Sequence, residues 1–222
     1  MLKFAPEGYP YILFFSIITI IAYAAGGILV AFLPFLLTLF MFFFFRDPER
    51  KIPEGDNIFV SPADGKVIVI KEFFKDIKSD IPALLKDNDS GFKKVSIFMS
   101  PLNVHVNRSP CDGLVESVVH KPGKFLSAFK HEASLENEQI AMLLNTSFGK
   151  VLVCQVAGSI ARRAVCRVKE GDTLKKGERY GVIKFSSRVD IFLPLDTKIK
   201  VQLGEKVKAG ETIVGEIIKG GA

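Results

Sequence analysis

Between Glu7 and Arg46 the chain carries no charged side chain, and residues 9–45 are nearly all Ile, Leu, Phe, Ala and Val. A run of this kind has no stable home in water, so it constrains the fold before anything else does. A helix through roughly 30 Å of hydrocarbon needs about 20 residues, with about 17 as a practical minimum. The run is therefore too long for one span and just long enough for two. Gly26-Gly27 stands near its middle, which predicts a hairpin of two short helices over residues 9–25 and 28–45, the second carrying Pro34. A re-entrant hairpin satisfies the same pattern. A secretory leader fits the run less well, because its apolar core is about 7–15 residues and ends on small residues, whereas here apolar residues continue to Arg46.

Lys3 precedes the apolar run, and Arg46, Arg50 and Lys51 follow it. A hairpin places both flanks on one side, and cationic flanks favour the cytoplasmic face. Three cysteines, Cys111, Cys154 and Cys166, supply no even disulfide framework. The expectation is a cytoplasmic unit of residues 51–222 tethered to the cell membrane by residues 1–50. The formal net charge of +6 is spread along the chain without a zinc-finger or RNA-binding signature, which argues against nucleic acid as partner. Basic residues near a bilayer are drawn to acidic headgroups by about 1 kcal/mol each, so membrane lipid is the better partner.

After residue 50 the pattern changes to short β-branched runs bounded by Gly, Pro and Asp, which predicts strands at 58–60, 66–72, 95–99, 113–119, 140–145 and 151–156, with more after Arg163. Beyond the apolar run, helix is expected only at 81–86. Near the end, Gly171-Asp172 to Gly177-Glu178 and Gly204-Glu205 to Gly210-Glu211 share the pattern Gly-acid-x-apolar-x-x-Gly-Glu. Glycine accepts positive φ without steric cost, so such a repeat suits tight turns between strands. It resembles the turns of biotinyl/lipoyl-type barrel-sandwich domains. No Met-Lys-Met hairpin accompanies it, so the repeat is expected to be architectural.

Ser186-Ser187 is the chain's only Ser-Ser step, and it interrupts a stretch that otherwise reads as strand. A serine beside a tight backbone can attack a carbonyl when its neighbours activate it. Of three histidines, His105 lies in a Pro-bounded segment that also offers Asn and Arg, where an imidazole can serve as acid or base; His120 and His131 stand beside lysines and read as solvated. Asp64 occupies an Asp-Gly turn, and a carboxylate is what orients a histidine next to a serine. Ser159 is a second candidate serine, beside the cationic pair Arg162-Arg163. No metal-ligand spacing, nucleotide-binding glycine loop or Gly-x-Ser-x-Gly elbow is present.

Six ordered blocks carry a resemblance: Phe45-Arg46-Asp47-Pro48-Glu49-Arg50, Ser61-Pro62-Ala63-Asp64-Gly65, Asn103-Val104-His105-Val106-Asn107-Arg108, Pro122-Gly123-Lys124-Phe125, Gln155-Val156-Ala157-Gly158 through Arg163, and Phe185-Ser186-Ser187-Arg188-Val189-Asp190. Together they resemble the short, membrane-tethered phosphatidylserine decarboxylases, including the similar archaetidylserine-type enzymes. The resemblance implies a mainly β, barrel-sandwich catalytic domain behind an N-terminal hydrophobic helical hairpin. It implies a zymogen that cuts itself between Ser186 and Ser187, giving chains of residues 1–186 and 187–222 and turning Ser187 into a covalent pyruvoyl group. That cofactor would take the substrate amine as a Schiff base and accept the electrons freed as carbon dioxide leaves, the electron-sink role that PLP plays elsewhere. The implied reaction converts phosphatidylserine to phosphatidylethanolamine in phospholipid biosynthesis, in a homo-oligomer of two-chain units.

The family's Asp/His/Ser arrangement carries onto Asp64 and Ser187. In the histidine block, the position of the family's triad histidine holds Arg108, and His105 matches its partner, so His105 is the expected imidazole and Arg108 a candidate ligand for phosphate or carboxylate. Ser186 stands where the family has glycine; a Cβ there costs about 1–2 kcal/mol if the residue must take positive φ. Two other classes fit parts of the pattern. A non-catalytic membrane-anchored barrel-sandwich adaptor accounts for the glycine repeat, and a serine hydrolase accounts for the Ser-Ser step.

Overall fold

The computed structural model describes residues 3–73, 91–123, 137–158, 164–184 and 187–218. The helix expected at 81–86 lies outside them. The chain divides into two compact units, Met1–Glu49 and Arg50–Ala222.

In the first unit a short 3-10 helix, η1 (Pro6–Gly8), leads into α1 (Tyr9–Phe44). Helical geometry breaks once inside α1, at Gly26 (φ −149°) and Gly27 (φ 67°, ψ −160°). The second pair of angles is essentially restricted to glycine. The break turns the chain back on itself. Thr19 Oγ1 and Thr38 Oγ1 lie 3.1 Å apart, whereas 19 residues of straight helix would separate them by about 28 Å. Each hydroxyl also reaches its own helix, Thr19 to the Phe15 carbonyl and Thr38 to that of Pro34. Phe4 bridges Arg46, the Ala5 N–H donates to the Phe45 carbonyl at 2.8 Å, and the Asp47 N–H donates to the Lys3 carbonyl at 2.8 Å. Both ends of the hairpin thus emerge together.

Residues 9–25 and 28–44 each measure about 25 Å, a little less than the ~30 Å of bilayer hydrocarbon. Apolar side chains such as Ile20, Ile28, Leu29 and Leu33 point outward, Leu29 being 88% exposed. The polar Thr pair is the exception, and it sits between the arms. A Thr19→Cys/Thr38→Cys chain is expected to form an intrachain disulfide, read as a loss of two mass units. Adding Gly27→Val is expected to depress its yield several-fold, since a β-branched residue at that φ and ψ costs about 1–3 kcal/mol. A cross-link that forms only between chains would contradict the hairpin.

Among the described residues the second unit has fourteen strands. In chain order they are β1 (Ile58–Val60), β2 (Gly65–Phe73), β3 (Phe92–Met99), β4 (Val106–Arg108), β5 (Gly113–Lys121), β6 (Gln139–Thr146), β7 (Gly149–Ala157), β8 (Ala164–Cys166), β9 (Thr173–Leu174), β10 (Arg179–Ile183), β11 (Ser187–Pro194), β12 (Thr197–Ile199), β13 (Lys206–Val207) and β14 (Ile213–Ile217). Eight form one curled sheet in the order β13-β2-β3-β11-β7-β6-β5-β9, and two three-stranded sheets, β1-β14-β12 and β4-β10-β8, complete the unit. The mainly β class and the barrel-like sheet expected from the sequence are what the chain adopts. Val67, Val95, Ile97, Met99, Val153, Ala157, Val189, Ile191 and Leu193 line the concave face and form the main core. Alternation along each strand, with successive side chains on opposite faces, puts them there.

The sheet order reads alike from either end because the unit contains two similar halves. One is continuous, β4 to β10; the other is split into β1–β3 and β11–β14, with the first inserted between them. The halves share a second motif that the glycine repeat did not reveal: Ser61-Pro62-Ala63-Asp64-Gly65-Lys66-Val67 and Ser109-Pro110-Cys111-Asp112-Gly113-Leu114-Val115. Their hydrogen bonds correspond one for one. The Ser61 hydroxyl donates to the Ala63 carbonyl and that of Ser109 to the Cys111 carbonyl. The Val67 N–H donates to the Glu205 carbonyl, and that of Val115 to the Asp172 carbonyl; the Gly210 N–H donates to the Ser61 carbonyl, and that of Gly177 to the Ser109 carbonyl. An Asp64 oxygen accepts from the Ala209 N–H at 2.8 Å, as an Asp112 oxygen does from the Lys176 N–H at 2.7 Å.

The expected glycine turns are the clasps of this arrangement. Gly171, Gly177, Gly204 and Gly210 all have φ between 75° and 88°, at the third position of four-residue turns closed by a backbone bond, as type II turns require. In the first three turns the acid that follows the glycine folds back to accept the N–H of the turn's first residue: Asp172 from Lys169, Glu178 from Lys175 and Glu205 from Gln202. In the fourth, Thr212 takes that duty for Lys208, and Glu211 turns to Arg50 instead, at 3.6 Å.

Candidate active site

That departure marks where the halves stop being equivalent. Asp112 is exposed and meets Lys175 at 3.2 Å. Its counterpart Asp64 is buried, and its two oxygens both accept from Arg50 Nη2, at 2.9 and 2.8 Å. A buried carboxylate needs such compensation. Asp64 is thereby engaged by Arg50 and the Ala209 N–H, and no hydrogen bond among the described residues joins it to His105 or Ser187.

Ser187 opens β11 in the middle of the large sheet, paired with Met99 on β3 and Ala157 on β7. It is fully buried, and its hydroxyl donates to Met99 Sδ at 3.4 Å. Sulfur is a weak acceptor, so this contact holds the hydroxyl without activating it. Ser186 and Ser159 lie outside the described residues, as do His131, Lys124 and Phe125. His105 is buried just before β4, with Nδ1 2.9 Å from the Asn103 carbonyl. A carbonyl only accepts, so Nδ1 carries a proton toward it. His120 is exposed beside Glu138, at 3.1 Å.

Arg108 is buried, and its Nη1 donates to the Gly177 carbonyl at 2.9 Å. Cys111 and Cys154 are buried thiols pushed up to about 12, by burial first and by the nearby Asp112 and Asp190 respectively; Cys166 is raised by burial too. None is a thiolate at neutral pH. Among the described residues no cluster of His, Cys, Asp or Glu could hold a metal ion.

Asn107 knits these segments together. Its Nδ2 lies 3.4 Å from the Pro62 carbonyl, which also accepts the Arg108 N–H, and 3.8 Å from Met99 Sδ, the atom that Ser187 touches. Its Oδ1 accepts from Gln155 Nε2 at 2.9 Å. Sequence reasoning quoted Asn107 and Gln155 in family-like blocks and gave neither a role. A signal was present for Gln155: it is the one polar side chain in the run Val151-Leu152-Val153-Cys154-Gln155-Val156-Ala157, where a strand buried on both faces should be wholly apolar.

On the opposite face of β11 lies a second polar group. Arg188 Nε and Nη2 are 2.9 and 3.2 Å from the two oxygens of Asp190, and Lys94 Nζ is 3.0 Å from Asp190 Oδ2. All three residues are buried. Burial works to raise the Asp190 carboxyl, but Lys94 and Arg188 outweigh it and hold the group below its ordinary range. This cluster clamps the strand just after Ser187.

A mainly β unit with a buried seryl hydroxyl at the head of its central strand is a scaffold on which enzyme chemistry can be built. Comparison with known proteins specifies it. The sequence model of the phosphatidylserine decarboxylase family matches residues 37–215. The phosphatidylserine decarboxylase proenzyme of Syntrophus aciditrophicus is 48% identical over 213 residues, covering 95% of this chain and 96% of that protein. The proenzymes of Desulfotalea psychrophila (44% over 215 residues, 96% of each) and Ralstonia nicotianae (45% over 214 residues, 96% of this chain and 95% of the relative) are similar over the same extent. The chain belongs to the phosphatidylserine decarboxylase family, and the enzyme is a decarboxylase.

Proposed function

We propose that this chain is a proenzyme that cuts itself between Ser186 and Ser187 and then decarboxylates phosphatidylserine to phosphatidylethanolamine at a membrane surface. The observation that carries this reading is the setting of Ser187. It is the first residue of a strand that is hydrogen-bonded on both sides, so a cut before it frees an N-terminus that the sheet still holds in place. The 187–222 chain would keep β11 between β3 and β7, β13 on β2 and β14 on β1. It should therefore stay bound to residues 1–186 until the fold is denatured.

In this reading Ser187 Oγ attacks the Ser186 carbonyl carbon, the amide C–N bond breaks, and an ester forms at Oγ. Loss of the Ser187 α-proton expels residues 1–186 as a carboxylate, and water then replaces the nitrogen at residue 187 with oxygen, releasing ammonia. The pyruvoyl group so formed supplies an electron sink for the carbanion left when carbon dioxide departs. A wall of Met99, Ala157 and Val189 suits such a group, because limiting bulk water there keeps it from competing with the substrate amine for the ketone. His105 is the assigned acid or base. Asp64, fixed by Arg50, sets a negative charge on the segment whose Pro62 carbonyl binds Asn107 and Arg108. A contact of Arg108 with the substrate's phosphate or carboxylate belongs to the same proposal.

The hairpin supports attachment to a bilayer, with both of its ends on one side. Lys3, Arg46, Arg50 and Lys51 favour the cytoplasmic side of the cell membrane. The test is intact mass together with turnover. Denatured protein is expected to give two chains divided before residue 187, the smaller with a blocked N-terminus, and to release carbon dioxide from phosphatidylserine vesicles; archaetidylserine vesicles measure the competing substrate. A persistently full-length chain in active membranes would refute self-cleavage, and labelling by a fluorophosphonate without cleavage would favour a hydrolase.

A further inference from the structure

The amide of Gln155 has a defined orientation. The Pro62 carbonyl can only accept, so Asn107 turns its nitrogen to Pro62 and its oxygen to Gln155, which must answer with Nε2. That leaves Gln155 Oε1 buried without a hydrogen-bond partner, in a residue only 1% exposed. Buried acceptors are nearly always satisfied, and an exception calls for a reason. Room for this amide is built in: at Gly181 on β10 a Cβ would come within 3.0 Å of Gln155 Nε2 and 2.3 Å of the Val165 carbonyl.

Gln155 pairs with Val189 and Ala157 with Ser187, so Gln155 stands two residues along the neighbouring strand and on the same face as Ser187. The two are also linked through Asn107 and Met99 Sδ. Ser187 spends its one proton on that sulfur and offers Oε1 nothing.

We propose that Gln155 Oε1 is the acceptor for an N–H of the substrate's amino group as it meets residue 187, and that Asn107 positions it. This rests on the self-cleavage reading given above. A neutral carbonyl suits the task better than a carboxylate would. An amide oxygen is too weakly basic to take the proton, so it orients a nitrogen that must stay protonated while electrons flow toward residue 187. A carboxylate would compete for that proton and add an uncompensated buried charge.

The test separates amine capture from chain cleavage, since cleavage involves no amine. Gln155→Met keeps length and volume and removes the acceptor; Gln155→Glu keeps the shape and adds an ionisable group. Cleavage is followed by intact mass, folding by thermal melts, and amine capture by the mass adduct formed with cyanoborohydride on vesicles of phosphatidylethanolamine and phosphatidylcholine, a lipid pair with no carboxylate to lose. With Gln155→Met, cleavage is expected within about two-fold of the parent and adduct formation at least ten-fold slower; with Gln155→Glu, the pH profile of capture should differ from the parent's by one added ionisation. Unchanged adduct formation in both variants would overturn the proposal. So would a parallel loss of cleavage and capture at an unchanged melting point, which would assign Gln155 to Ser187 itself. If Gln155→Met fails to fold, the pH profile of Gln155→Glu decides, a profile like the parent's counting against the proposal. A parent chain that cuts but captures no amine removes this inference alone, and one that never cuts removes the self-cleavage reading with it.

Discussion

Ser187→Ala is expected to remain a single 24.6 kDa chain with no measurable release of carbon dioxide, a loss of activity to background. The reasoning needs only the hydroxyl. Oγ is at once the attacking atom of the acyl shift and the leaving atom of the elimination, and alanine has neither function. Its removal should leave the fold intact, because the structure gives that hydroxyl one contact, a long O–H···S bond to Met99. Melting temperatures of parent and variant are therefore expected to agree within a few degrees while cleavage differs completely. A variant that still divides before residue 187 would remove Ser187 from its role. Hydroxylamine added to partly processed parent protein, which cuts esters faster than amides, provides the complementary measurement: a pool of ester-linked chain should disappear into fragments, and Ser187→Ala should show none.

The second large effect is on stability. Asp190→Ala deletes the one carboxylate between two buried cations, Lys94 and Arg188. Removing one partner of a buried ion pair costs about 3–5 kcal/mol because the remaining charge is stranded, and here one carboxylate serves two cations. That is a large fraction of the ~5–15 kcal/mol by which a domain is stable. The denaturant midpoint of the variant should fall sharply, and cleavage with it, since Asp190 shares β11 with Ser187. The pH dependence follows from the direction of its shift. The folded carboxyl titrates below its unfolded value, so the folded state binds fewer protons; the stabilisation is complete above the ordinary carboxylate range and is lost as pH falls through the lower, folded value. Melts from pH 7 down to about 2 should show parent stability declining below about pH 4, with a shallower decline in Asp190→Asn. An equal acid slope in both proteins would assign the acid sensitivity to other carboxylates.

Much of the fold was legible because it rests on local physics. Residues 58–60 match β1 end to end, and most of the other expected strands fall within one to three residues of those formed, since alternation and turn residues act over short distances. The short β4 was missed: three residues, Val106–Arg108, carry too little pattern to separate strand from loop. The glycine repeat was visible as turns. Its meaning was not, because the partner motif around Asp64 and Asp112 lies far away in sequence and contacts the turns only after folding.

By itself the sequence determined that an uncharged apolar segment precedes a β-rich unit, that Gly26-Gly27 permits a reversal, and that Ser187, His105, Asp64 and Arg108 were the side chains to follow. The first two follow from hydropathy and from glycine's access to positive φ, which act within a few residues; the choice of Ser187 over Ser186, and of Arg108, came from the resemblance to a family. Only the tertiary structure decided what those side chains touch. It placed Asp64 on Arg50, Arg108 on Gly177 and Ser187 on Met99, and it brought Gln155 to Asn107 across 48 residues of chain. Register sets such contacts, and register is chosen by the collective burial of two sheet faces rather than by any single stretch of sequence.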